Sequence, residues 1–150
     1  MNCLALDAAS PLFESHQGSY LTYEHADFVD AIHTSAGGNV ITGHVGFNKP
    51  FGHVDFYPNG GTNQPLCSDI KESLDISCNH KSSVYYYDAA IKAFGYRFLS
   101  YHCSSYENFT AGQCPKFTSK LGYDSVYFSF NRGLGVQYLN TSKEYPYFLE

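Results

Sequence analysis

With 150 residues, 43% of them hydrophobic and only 15% charged, the chain has enough apolar content for one folded domain with its own core and is not a disordered polymer. A net charge of −5 without any Lys/Arg cluster argues against nucleic-acid binding, and no run of about 18 apolar residues reads as a membrane span. Five cysteines and two sequons, Asn108-Phe-Thr110 and Asn140-Thr-Ser142, fit an extracellular chain carrying disulfides and N-glycans. The N-terminus has neither a basic region nor an apolar stretch of signal-peptide length. A secreted chain without an export signal is therefore expected to have lost its beginning.

Leu4-Ala-Leu6 is a continuous apolar run and predicts a strand buried on both faces, as in a parallel sheet. Asp7 follows at its C-terminal end, where open α/β sheets place their active sites. Locally, Asp7 fits an Asx-turn or a helix N-cap equally well. Residues 28–34, Phe-Val-Asp-Ala-Ile-His-Thr, predict a second strand rich in β-formers. The Gly-rich stretch 35–52 reads as a long loop with exposed or half-exposed Val40, Ile41, Val45, Phe47 and Phe51. Loops of that length are uncommon unless functional. Residues 52–61 predict a strand broken by Pro58 and a glycine turn.

Cys67 and Cys78 bracket a polar loop, with His80 two residues beyond. A disulfide between them would make a small flap with His80 fixed at its base, and a general base needs such fixing. A plain surface disulfide beside a solvent-facing histidine fits the same residues. Residues 82–94 predict a helix capped by Ser82 or Ser83, ended by Gly95, with Val84, Tyr87, Ile91 and Phe94 as its apolar stripe. A short strand is expected over 98–101, and a second disulfide loop between Cys103 and Cys114. Two further β segments are expected over 126–130 and 136–140, with no repeat or linker anywhere.

The histidines first suggest a metal, but His25, His33, His44, His53 and Asp55 match no recognised zinc spacing, and the cysteines look committed to disulfides. Nor does a phosphate-binding glycine loop follow any strand. The sharper pair is Asp7 followed far downstream by His80. This is the chain order in which α/β-hydrolases place the acid that orients an imidazole and the histidine that takes the nucleophile's proton.

Several motifs in order then carry a resemblance: Leu6-Asp-Ala-Ala-Ser-Pro-Leu-Phe13, the segment 28–34, Gly52-His-Val-Asp-Phe-Tyr-Pro-Asn-Gly-Gly61, Cys78-Asn-His80 with Tyr85-Tyr-Tyr87, and Cys103 to Cys114. Over most of its length the chain resembles the C-terminal half of the catalytic domain of the pancreatic-lipase-like animal lipases. That resemblance implies a partial α/β-hydrolase fold, Asp7 as triad acid and His80 as triad base. It also makes the Cys67–Cys78 loop the lid and 35–52 a second loop shaping the substrate entrance. The family's acid motif usually has proline after the aspartate, whereas Ala8 stands here. The family's Gly-x-Ser-x-Gly nucleophile elbow occurs nowhere in the chain, and Ser10 is not on such an elbow.

The short lid resembles that of phospholipase A1-type members common in arthropods, although loop 35–52 is not obviously clipped. The function implied is ester hydrolysis of glycerolipids or phospholipids at a lipid–water interface. The rival is a non-catalytic lipid-binding or yolk-protein-like relative. No cofactor is expected, and with no acidic cluster near 18–25, no calcium or other metal. Cys3 is expected to be a buried thiol or to pair outside the chain.

Overall fold

The protein is described from a computed structural model covering residues 1–13, 15–16, 18–69, 75–92, 98–115, 119–122, 125 and 134–149. Its strands are β1 (Asn2–Leu6), β2 (Phe28–Ile32), β3 (Val54–Pro58), β4 (Leu99–His102), β5 (Ser119–Lys120) and β6 (Gly135–Leu139). They form one mixed sheet in the order β1-β2-β3-β6-β4-β5. The pairings from β1 to β6 are parallel, and β4 runs antiparallel to both β6 and β5.

β2 and β3 are buried at every position, as expected for central strands of a sheet covered on both faces. β1 departs from the expectation of complete burial. Among its residues only Ala5 is buried, because the strand ends the described sheet and has one neighbour. The strands over 99–102 and 135–139 lie one residue away from their expected positions, and the segment 126–130 lies outside the described residues.

The main helix, α1 (Cys78–Lys92), starts four residues before the expected cap. Ser82 and Ser83 do not cap it. Both are buried inside it, and their hydroxyls donate to the carbonyls of Cys78 and His80 at 2.9 Å. The expected apolar stripe holds only in part: Tyr87 is partly buried against the core, whereas Val84 and Ile91 are 50% and 48% exposed. The buried face is Cys78, Ser82, Ser83, Tyr86, Ala89 and Ala90. These positions follow the helical repeat, and small residues allow the helix close to the sheet while Tyr86 fills the space. Phe94 and Gly95 lie outside the described residues. The earlier start places His80 in the first turn of the helix, rather than just ahead of it.

Between α1 and the sheet lies a core built from Phe28, Ile32, Val54, Phe56, Tyr86, Ala89, Ala90, Phe98, Leu121 and Leu139. A second cluster, formed by Ala5, Ala31, Phe47 and Phe51, uses the alternate strand positions. Loop 35–52 therefore splits in character. Phe47 and Phe51 turn inward, each stabilising by about 2 kcal/mol through burial, whereas Val40 and Ile41 face solvent. A short helix, α2 (Tyr106–Thr110), is capped by the Ser105 hydroxyl, which accepts from the Asn108 N–H. Disulfides join Cys67 to Cys78 and Cys103 to Cys114. Cys3 is a half-buried thiol.

Candidate active site

Asp7 sits where β1 ends, its N–H donating to the Ile32 carbonyl at 2.7 Å across the parallel pair. Its φ of 50° lies in the left-handed region, which aspartate tolerates better than most residues and which swings the chain out of the strand. The side chain is buried at 1% exposure. Four donors meet its carboxylate. Oδ1 accepts the N–H groups of Thr34 (2.7 Å) and Ser35 (2.9 Å); Oδ2 accepts the Ser35 hydroxyl and His80 Nδ1. A buried carboxylate needs this level of satisfaction to be tolerated.

Loop 35–52 is stitched around that acid. The Gly46 N–H donates to the Ser35 carbonyl, Phe47 N–H to the Ala8 carbonyl, and Ser10 N–H to the Val45 carbonyl. Nothing in the order of residues marked Ser35 as an orienting group. Only its place three residues past the end of β2, beside the end of β1, makes both its N–H and its hydroxyl available to Asp7.

His80 Nδ1 lies 2.7 Å from Asp7 Oδ2. Because a carboxylate only accepts, Nδ1 carries the proton, and in the neutral ring Nε2 holds the lone pair. Nε2 has no hydrogen-bond partner among the described residues, and the side chain is 38% exposed. The bond to Asp7 raises the His80 pKa above its ordinary value, with partial burial opposing it. The arrangement is an imidazole oriented through one nitrogen by a buried acid, with the other nitrogen accessible.

A second acid–histidine pair lies deeper. His33 Nε2 is 2.8 Å from Asp55 Oδ1, and both side chains are at most 1% exposed. Asp55 also accepts the N–H groups of Phe51 and Gly52, while the His33 ring stacks on Tyr57 with centroids 4.3 Å apart. His33 and Asp55 thus tie the end of loop 35–52 to the two central strands, and with no exposed atom they offer nothing to a substrate. The other histidines considered as metal ligands are used separately. His53 Nδ1 accepts the Val29 N–H, and His44 bonds Thr42 and Asn63. Among the described residues no group of three His, Cys, Asp or Glu could hold a metal ion.

These residues form an oriented acid–histidine pair on a mixed α/β sheet, and the family profile described as Lipase matches residues 3–147. The chain belongs to the Lipase family. It is 35% identical over 128 residues to Lipase member H-B of Xenopus laevis, covering 83% of this chain and 26% of that protein. It is 36% identical over 122 residues to human Hepatic triacylglycerol lipase, covering 73% of this chain and 24% of that protein. Human Lipoprotein lipase is 34% identical over 160 residues, covering 95% of this chain and 33% of that protein. The chain thus spans about a quarter to a third of the length of these relatives.

The architecture of the chain is α/β, with the mixed sheet and paired disulfides of part of an α/β-hydrolase fold. The Cys67–Cys78 bond ends on the first residue of α1, two residues before His80. The Cys103–Cys114 bond instead brackets α2. Of the two sequon asparagines, Asn140 is exposed and accepts the Tyr106 hydroxyl through Oδ1. Asn108 is half-buried and donates through Nδ2 to Ser104.

Proposed function

We propose that this lipase chain supplies the acid and the base of a Ser-Asp-His triad in a secreted carboxylester lipase of phospholipase A1 type. The serine and its oxyanion donors would come from outside residues 1–150, since no Gly-x-Ser-x-Gly motif occurs within them. The observation that carries this reading is the 2.7 Å bond between a buried Asp7 and a partly exposed His80.

In this mechanism His80 Nε2 takes the serine proton as the serine oxygen bonds to the ester carbonyl carbon. Asp7 holds the ring in the correct tautomer and stabilises the imidazolium. The imidazolium returns the proton to the departing alcohol as the carbon–oxygen ester bond breaks, leaving an acyl-enzyme. Water then repeats the sequence and releases the fatty acid.

Exposed aliphatic groups support action at a lipid surface. Val40 and the 89%-exposed Ile41 stand on loop 35–52, and Ile76 stands on the flap. The two segments meet closely, since a Cβ at Gly43 would lie 1.8 Å from the Ile76 carbonyl oxygen. The flap closes over a sequence separation of only 11, which supports the short-lid, phospholipase A1-type reading. The disulfides and sequons support an extracellular location.

The test is turnover of short-chain ester and phospholipid substrates by the full-length protein, with a fluorophosphonate probe for the nucleophile. His80→Ala is expected to remove most turnover, and Asp7→Asn about 10⁴-fold. Residues 1–150 alone are expected neither to turn over substrate nor to label. Near-normal rates in either variant would overturn the assignment of the pair. Labelling of residues 1–150 that His80→Ala abolishes would place the nucleophile within them.

A further inference from the structure

Gln64 is 3% exposed, lies outside every strand and helix, and has every polar atom of its side chain engaged. Its Nε2 donates to the carbonyls of Thr34 (3.0 Å) and Pro58 (3.1 Å). Its Oε1 accepts from Asn59 Nδ2 (2.8 Å) and from the Tyr86 hydroxyl (3.2 Å). Its own backbone N–H donates to Asn79 Oδ1 at 2.8 Å. Tyr86 and Asn59 are joined in turn through the Thr141 hydroxyl.

The partners of this residue fall on both sides of the acid–histidine pair. Thr34 is the residue whose N–H holds Asp7 Oδ1, so a bond to its carbonyl fixes the peptide plane next to the acid's cradle. Asn79 is the neighbour of His80, and Tyr86 lies further along the same helix. Three residues after Gln64, Cys67 bonds to Cys78, so the short segment 64–67 grips α1 at two successive positions just before His80. α1 packs on the sheet through the shared core, but apolar packing is non-directional, and the 2.7 Å bond between Asp7 and His80 requires the start of the helix and the ends of β1 and β2 to be held within a few tenths of an ångström.

We propose that Gln64 is a positioning residue that sets the distance between Asp7 and His80 by bonding the acid's backbone cradle and the histidine's helix at once. It acts through Thr34 and Asn79 and touches neither reacting group. The inference rests on the reading of Asp7 and His80 as acid and base, but its consequence is a property of their bond, measurable without turnover.

The test uses NMR of the folded protein with isotope-labelled histidine. It follows the low-field Nδ1–H resonance of His80 and its titration in the native protein, Gln64→Met, Asn79→Ala and Ser100→Ala. Ser100 supplies a control buried hydrogen bond, to Gln137 at 3.3 Å, that involves none of the partners of Gln64. All three variants are expected to melt at lower temperature. In Gln64→Met and Asn79→Ala alone, the Nδ1–H signal should weaken and the His80 midpoint should fall. In the full-length enzyme the same two variants should lose about tenfold in kcat with KM little changed, as expected for misplacement rather than lost binding.

An unchanged His80 resonance and titration in folded Gln64→Met overturns the proposal. If Gln64→Met does not fold, Asn79→Ala decides: an unchanged His80 titration there also overturns it. Should His80→Ala retain normal turnover, the triad reading fails, while the resonance still reports whether Gln64 sets the bond.

Discussion

The Asp7 carboxylate occupies the space that a side chain at Gly46 would need. A Cβ placed there would lie 2.5 Å from Asp7 Oδ1 and 2.9 Å from its Cγ. Gly46 is held in place from two sides, by its N–H on the Ser35 carbonyl and by the bridge between residues 46 and 9. Neither the loop nor the acid can back away freely. Gly46→Ala is therefore expected to displace the carboxylate from the Thr34 and Ser35 N–H groups. Overpacking of this kind costs about 1–3 kcal/mol, to be read as a lowered midpoint in thermal unfolding. A His80 titration moved toward that of an ordinary histidine would show that the displaced group is Asp7.

The bond to Asp7 raises the His80 pKa above its ordinary 6.5. A raised folded-state value means that the bond's contribution to stability is fully present below the unfolded pKa and is lost as pH rises through the folded one. Catalysis has the opposite sense, because the base must be neutral to accept a proton. The acidic limb of the kcat/KM profile of the full-length enzyme is thus expected above pH 6.5, and Asp7→Asn should move it to lower pH. A limb that stays in place in a folded Asp7→Asn variant would show that the bond does not set it.

Asp30 offers a second titration, independent of the site. It lies within β2 at 2% exposure, and burial raises its pKa from 3.8 to about 6, partly opposed by a 2.7 Å bond from the Ser125 hydroxyl. Among the described residues its Oδ1 has no hydrogen-bond partner. The folded state therefore binds more protons than the unfolded state between about pH 4 and pH 6, so stability falls across that window as pH rises. The full effect is about 3 kcal/mol at about 1.4 kcal/mol per pH unit. Denaturant unfolding of Asp30→Asn against pH should lack this part of the slope; an unaltered slope would assign it elsewhere.

The two disulfides close loops of equal length, each with a sequence separation of 11. Loop-closure entropy then predicts a similar loss for either Cys67→Ser/Cys78→Ser or Cys103→Ser/Cys114→Ser, about 3 kcal/mol. Their effects on the site should differ. Only the first pair ends on the helix turn that carries His80, so only its removal should shift the His80 titration. Thermal melts combined with histidine NMR on both double variants check this, and equal shifts in the two would contradict it.

Much of this was present in the order of residues. The apolar run 4–6 read as a parallel-sheet strand, and the β-formers of 28–34 and 52–61 as strands, because those patterns are local; that β1 is only partly buried was not legible. Asp7 and His80 were marked by position, one after a buried run and one beside a cysteine-closed loop, and the lipase-like motifs gave them roles. The start and buried face of α1 were not legible. Val84 and Ile91 look like core, and two serines look like caps, until the neighbouring sheet demands small side chains at the contact.

His33 with Asp55, considered from the sequence only as candidate metal ligands, emerged as a second acid–histidine pair only in the tertiary structure. His33 with Asp55 and His80 with Asp7 are chemically the same pair at nearly the same distance. The first is sealed between strands and aromatic rings, and the second leaves one nitrogen open. Which group is buried depends on contacts between residues 22 to 73 positions apart, and no local pattern in a chain encodes those. The sequence by itself determined the residue types and singled out Asp7 and His80; only the packing of loop 35–52 and α1 against the sheet decided that His80 keeps a solvent-accessible nitrogen while His33 is sealed.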